Sequence, residues 1–290
     1  MPINFFEASD GKHAKQSFDS PTVYLDHWAV RLFSEDIDLQ DRFVRSLRAK
    51  AGTLLLSNIT FAEFADLSDP RHCEQAEAFL ERLLPNVYFT DFAFDRLLQK
   101  ENLEPNNAKR FWPPADLPQL KLFVEKASAV SSGLTMHGFV SLAHETRHQI
   151  SKSSESLRKL LVEGLSAARN DPEYVAKARR IPPSDRRPRT LLIFGELMRG
   201  FNLDGNASIS DNDVVDLLHT AMPVNCCDFV LLDGPWAERV EKMRLRIAKT
   251  TMEMPIASCF SQRNSGIENF LTALDGFDKA ANASRAAVPQ

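Results

Sequence analysis

The sequence predicts an α/β fold, with a mostly parallel sheet covered by helices and interrupted by a long helical insertion. Three observations predict it. Short, apolar, β-favouring runs alternate with amphipathic helical stretches toward both ends of the chain, as parallel sheets require. Two of those runs end on an aspartate, at Asp26 and at Asp233. Between them lies about a hundred residues of helical pattern and proline breaks with no strand signal.

Thr22, Val23, Tyr24 and Leu25 follow a Ser-Pro break and read as a buried strand closing on Asp26. Over 28–50, Leu39, Phe43, Val44 and Leu47 recur at helical spacing, and Gly52 ends the segment. Thr53 to Ser57 reads as a second strand, with Asn58 placed to cap a helix carrying Thr60, Phe61, Glu63 and Phe64. A strongly amphipathic helix over 74–84 precedes the Pro85-Asn86 turn and a third strand, Val87 to Thr90. Over 92–188 come helices broken by Pro105, Pro113, Pro114, Pro118, Pro172, Pro182 and Pro183. Helices follow over 190–201 and 211–222, then a strand from Phe229 to Leu232 ending on Asp233. A helix over 237–248, a strand over 256–260 and a helix over 267–274 complete the pattern. Residues 1–19 and 279–290 read as flexible termini.

Hydrophobic content of 43% and charged content of 26% are those of a globular protein. A net charge of −4 argues against a strongly basic, histone-like nucleic-acid binder, but not against a nuclease with an acidic metal site. Cys73, Cys226, Cys227 and Cys259 have no metal-ligand spacing and read as reduced core thiols of a cytoplasmic protein. The N-terminus lacks a secretory pattern, and no apolar run approaches the roughly 20 residues a membrane span needs.

In an open parallel sheet, ligands bind beyond the carboxyl ends of the strands. Asp26 and Asp233 belong there, and Glu63, in the first turns after the second strand, faces the same edge. Asp213 and Asp216, three apart, share one helix face, with His219 on the face of Asp216. His219 either orients a carboxylate or is a satisfied core histidine. Asp228 begins its strand and belongs at the opposite edge. Carboxylates gathered this closely repel one another until a cation neutralises them, and hard ions such as Mg²⁺ take oxygen ligands.

The order of these motifs resembles PIN-like domains: the Val23 to Asp26 run, then Leu56-Ser57 with Thr60 and Glu63, then Asn212-Asp213 with Asp216 and His219, then Asp228 and Leu232-Asp233. His27-Trp28 follows the first acid, as in larger PIN-like proteins, and Gly-Pro follows Asp233. The resemblance spans about 20–90 and 190–275, with 92–188 as a helical insertion into one discontinuous domain over 20–278. It implies a three-layer α/β/α sandwich and a metal-dependent ribonuclease. Asp26, Glu63, Asp216 and Asp233 would hold Mg²⁺ or Mn²⁺, with Asp213 an alternate acid at the catalytic centre. RNA is then the substrate and endonucleolytic cleavage the expected action. A restraining protein partner and a homodimer stay open, as does an inactive PIN-like module that binds RNA or protein.

A rival pattern is His144-Glu145-Thr146-Arg147-His148, a literal HExxH that on a helix would offer two imidazoles to Zn²⁺ and a glutamate base for a peptidase. Against it stand the charged Arg147, the missing downstream GxxH, and Ser151 to Ser154, which should end the helix early. Glycine-rich nucleotide motifs are absent from the sequence. The basic stretch from Lys177 to Arg189 reads equally as an RNA track or as solvated charge.

Overall fold

The computed structural model describes residues 2–278 apart from 10, 58–59, 62, 64–69, 91–93, 104–111, 130–134, 141–146, 185–187, 206 and 208. The N-terminal residues, expected to be a flexible end, instead form a hairpin of β1 (Ile3–Ala8) and β2 (Gly11–Gln16). Phe6 stacks on His13 across it, with ring centroids 5.5 Å apart. The hairpin is tied down by Gln16, whose amide donates to the Phe89 carbonyl at 2.8 Å and accepts from the Phe89 N–H at 3.1 Å. One side chain thus shares in the pairing of the outer edge of this strand, where the Asp116 N–H also donates to the Phe89 carbonyl at 3.1 Å, and nothing in the short 2–18 pattern announces so remote a partner.

The main sheet has β3 (Thr22–Leu25), β4 (Thr53–Ser57), β5 (Val87–Thr90), β6 (Phe229–Leu231) and β7 (Ser258–Phe260). All neighbours are parallel, in the order β5-β4-β3-β6-β7. Side chains alternate between its faces, so strands buried on both sides read as continuous apolar runs. Val23, Leu25, Leu54, Leu56, Val87, Phe89 and Leu231 enter one core. That face is covered by α1 (His27–Glu35), α2 (Ile37–Ala49), α3 (Pro70–Leu83) and, from the far end of the chain, residues 270–274. The 28–50 stretch is two helices rather than one. Asp36 adopts an extended conformation and its carboxylate accepts from Asp38 and Leu39 N–H, both at 3.1 Å, so it closes α1 and caps α2. Phe33, Phe43 and Phe79 meet here with centroids 5.1–6.1 Å apart; each such ring contributes about 1.5–3 kcal/mol by burial.

The middle of the chain forms α4 (Phe94–Leu103), α5 (Leu117–Ala129), α6 (Arg147–Asn170) and α7 (Pro172–Arg180). Among the described residues of this stretch the one β contact is a bridge from Ala115 to Thr90. These helices extend the layers on the sheet: Leu120 and Phe123 of α5 join the first core, and Leu165 of α6 joins the second. Contrary to the sequence expectation, α6 runs straight through Ser151 to Ser154. The helix cost of serine, about 0.5 kcal/mol each, is outweighed by the apolar face that Leu161, Val162 and Leu165 lay on the second core.

The second face carries Tyr24, Leu55, Tyr88 and Val230 against α8 (Arg189–Leu203), α9 (Asp211–Cys226) and α10 (Gly234–Ile247). Cys226 and Cys227 lie in this core and Cys73 in the other. The last helix is α11 (Gly266–Asp275). Helices on both faces of a parallel sheet make this an α/β fold with three layers.

Glu101 of α4, 5% exposed, accepts from the Thr190 N–H in the first turn of α8 at 2.9 and 3.1 Å. A carboxylate at a helix N-terminus satisfies an orphan donor and complements the helix dipole. Glu101→Ala is expected to destabilise the protein by about 1–3 kcal/mol, read as a lower urea midpoint at unchanged m-value.

Candidate metal centre

The connections leave β3 and β6 in opposite directions across the sheet, which opens a crevice beyond their carboxyl ends. Asp26 stands at that end of β3. Its N–H still bonds the Leu231 carbonyl of β6 at 3.0 Å, and its Oδ1 then accepts from the His27 N–H at 2.8 Å to start α1. Asp233 repeats the device after β6. Its backbone angles, φ −63° and ψ 159°, match the −63° and 158° of Asp26, and its Oδ1 accepts from the Trp236 N–H at 3.0 Å. Both aspartates therefore cap a helix with one oxygen, and the crevice lies at the cap.

Glu63 arrives from the segment after β4, where Thr60, Phe61 and Glu63 are helical; Asn58 and Phe64 lie outside the described residues. Its Oε1 is 3.7 Å from His27 Nδ1 and its Oε2 is 3.6 Å from His219 Nε2. His27, half-exposed, also lies 3.6 Å from Asp26 Oδ1. His219 of α9 is 2% exposed, and its Nδ1 meets the hydroxyl of the fully buried Tyr24 at 2.5 Å. One turn earlier on α9, Asp216 accepts from the indole Nε1–H of Trp236 at 3.2 Å.

The other acids have local duties. Asp213 is in a capping box, its Oδ2 accepting from the Ser210 N–H at 2.9 Å and the Ser210 hydroxyl at 2.7 Å. Asp228 accepts from the Thr22 N–H at 2.8 Å and hydroxyl at 3.0 Å, at the amino end of β3.

The electrostatics are those of crowded negative charge. Burial, then Asp26 and Asp233, push the Asp216 carboxyl up to about 7, against the pull of Trp236 Nε1–H. Burial raises Asp233 as well, opposed by the Trp236 N–H and by Arg239 and Arg263. The Asp26 carboxylate, aided by Glu63 and opposed by burial, lifts His27 to about 9. Burial lowers His219 to about 4, so its ring is neutral at pH 7. Burial and the charges of Asp26 and Glu63 hold the Tyr24 hydroxyl protonated.

A divalent ion fits this donor set. One ligand atom each from Asp26, Glu63 and His219 lie within 4.8 Å of one another. Donors about 2.1 Å from a shared ion stand at most about 4.2 Å apart, so small side-chain movements suffice. Asp216 and Asp233 add charge that reaches Asp26. Of the five acids singled out in the sequence, Asp26 and Glu63 thus converge with His219, Asp216 and Asp233 border them, and Asp213 is spent on a cap. A recess of about 370 Å³ lined by Arg42, Arg45, Ser46, Ala49, Lys50 and Asp275 shares no residue with this cluster.

No family model, curated protein or solved structure matches the chain. Assignment therefore rests on the geometry of the crevice. The rival HExxH gives no geometry, because His144, Glu145 and Thr146 lie outside the described residues and Arg147 and His148 are placed only as the start of α6. Of the basic stretch, Lys177 pairs with Glu173 at 2.6 Å, while Arg189 is buried and donates to the carbonyls of Asn225 and Pro255. Arg186 and Arg187 lie outside the described residues. No helix among the described residues is long and apolar enough to cross a membrane.

Sequence reasoning left His219 undecided and passed over Tyr24, His27 and Trp236 as site residues. The signal for His219 was its place three residues after Asp216. Nothing local to Tyr24 marks it, since a tyrosine in an apolar strand reads as core.

Proposed function

We propose that the chain is a PIN-like, metal-dependent ribonuclease that hydrolyses RNA phosphodiester bonds at the crevice beyond β3 and β6. The observation that carries this reading is the convergence of Asp26 and Glu63 with His219 at the switch point, bordered by Asp216 and Asp233. A carboxyl such as Asp216, pushed up by burial and then by the charges of Asp26 and Asp233, is unfavourable for the fold by itself when ionised, and a cation offsets that cost. Mg²⁺ or Mn²⁺ held there would supply Lewis-acid polarisation of a phosphoryl oxygen and a water of lowered pKa.

The chain's own groups divide the remaining work. Asp26 and Glu63 would hold the ion, while Asp216 and Asp233 orient water from the same edge. His27, kept cationic at the rim by Asp26 and Glu63, offers positive charge to an approaching phosphate. Arg263, exposed and close enough to Gly234 that a Cβ there would meet its Nε at 2.6 Å, offers a second cation beside Asp233. Local cations of this kind let a chain of net charge −4 engage RNA.

The test is cleavage of end-labelled single-stranded RNA by the purified full chain. Cutting is expected with Mg²⁺ or Mn²⁺ and is expected to stop with chelator. RNA binding without cutting, at saturating ion, would replace the enzyme by an inactive binding module.

A further inference from the structure

We infer that His219 ligates the ion through Nε2, with Tyr24 as the residue that positions its ring, and that this nitrogen makes the centre prefer Mn²⁺ to Mg²⁺. The inference rests on the metal-centre reading above and adds a ligand that carboxylate chemistry does not anticipate.

His219 is 2% exposed, on a helix whose neighbouring turn carries Asp216. Its two nitrogens face different chemistry. Nδ1 lies 2.5 Å from the Tyr24 hydroxyl, and Nε2 lies 3.6 Å from Glu63 Oε2, within the group formed with Asp26. A separation of 3.6 Å is too long for a hydrogen bond. It is close to the roughly 3.0–3.4 Å between adjacent ligands of one octahedral or tetrahedral ion.

A metal-bound imidazole usually donates its other N–H to an oxygen, which fixes the tautomer and the ring plane. Tyr24 supplies that oxygen. With Nδ1–H donating to Tyr24, the tyrosine turns its own O–H toward Thr60, whose hydroxyl interacts with it, and Nε2 presents its lone pair to the crevice. Tyr24 is fully buried in β3, between Val23 and Leu25 of the opposite core face, so it is held by the sheet itself. Carboxylate and water suit Mg²⁺ and Mn²⁺ alike, whereas an imidazole nitrogen binds first-row transition ions, Mn²⁺ included, better than it binds the harder Mg²⁺.

The experiment is pulsed electron paramagnetic resonance on the full chain loaded with Mn²⁺, with and without ¹⁵N-histidine, beside a Mn²⁺/Mg²⁺ competition titration. Nitrogen coupling to the manganese is expected and should shift with the label. His27, the other imidazole in reach, is separated by His27→Gln, which should keep the coupling. His219→Gln should lose it and bring the Mn²⁺/Mg²⁺ preference down at least about tenfold. Tyr24→Phe should keep the coupling while weakening Mn²⁺ binding about 10–100-fold. Mn²⁺ bound without nitrogen coupling, or coupling lost in His27→Gln, overturns the inference and leaves the carboxylate-held ion standing. Wild-type coupling without RNA cleavage upholds the inference and sinks the nuclease reading. Even where His219→Gln does not fold, the labelled wild type and His27→Gln decide the matter.

Discussion

Asp26→Asn is expected to lower ion-dependent RNA cleavage at least about 10³-fold while leaving the fold intact. A divalent ion contributes several kcal/mol to the transition state of phosphodiester hydrolysis, and about 4 kcal/mol corresponds to that factor. Asn has one neutral oxygen where the crevice needs a charged one. The local structure has no comparable stake in the charge. Asp26 caps α1 through a single oxygen accepting the His27 N–H at 2.8 Å, and Asn is as good an N-cap as Asp. Far-ultraviolet circular dichroism and the thermal midpoint of the metal-free variant should match or slightly exceed wild type. Glu63→Gln should behave alike in cleavage, and Asp213→Asn should not, because Asp213 serves the cap with Ser210. Cleavage by Asp26→Asn at the wild-type rate would remove Asp26 from the chemistry.

The strands of the main sheet were legible because burial on both faces makes their centres continuous apolar runs: Val23, Tyr24 and Leu25, and likewise Leu54 to Leu56, are all essentially buried. The hairpin at the N-terminus was not legible, since Gln16 reaches a strand 73 residues away to hold it. The break at Asp36 was hidden for a related reason: apolar periodicity runs through 28–50, and only the capping geometry of one aspartate interrupts it. At the centre, the positions of Asp26 and Asp233 followed from strand ends. Whether they were caps or ligands could not be decided from sequence, because here a strand runs directly into a helix. The cap position and the crevice position are then the same residue. His219 stayed undecided and Tyr24 read simply as core, because only the fold brings the two together across 195 residues of chain.

In the metal-free protein, Asp216→Asn is expected to be more stable than wild type by an amount that grows from pH 4 to pH 8. The sign follows from the proton count. Asp216 has its folded pKa raised from 3.8 to about 7, by burial first and then by Asp26 and Asp233. Between those values the folded chain keeps a proton that the unfolded chain has released, so stability falls as pH rises through the window and levels off above it. Below pH 4 both states are protonated and the variant gains nothing. By pH 8 the gain should reach about 1–3 kcal/mol, the full shift being discounted for the part of Asp216 that solvent screens. Asn keeps an acceptor for the Trp236 indole, so the bond that lies at 3.2 Å in wild type survives. The two histidines of the crevice titrate in parallel. His219, lowered to about 4, costs stability as pH falls from 6.5 toward 4. His27, raised to about 9, gives stability below 6.5 that is lost as pH rises to 9. Both occur in wild type and variant and largely cancel in the difference, although the charge of Asp216 adds a small part to the rise at His27. Urea midpoints of the two proteins at pH 4, 6 and 8 measure that difference. Curves that stay parallel would mean that the carboxylates do not repel one another and that the crevice does not call for a cation. Saturating Mn²⁺ supplies the second half of the argument. An ion that binds only the folded state stabilises it by mass action, and it does so most where negative charge is greatest. The advantage of Asp216→Asn at pH 8 should therefore shrink or reverse when the ion is present.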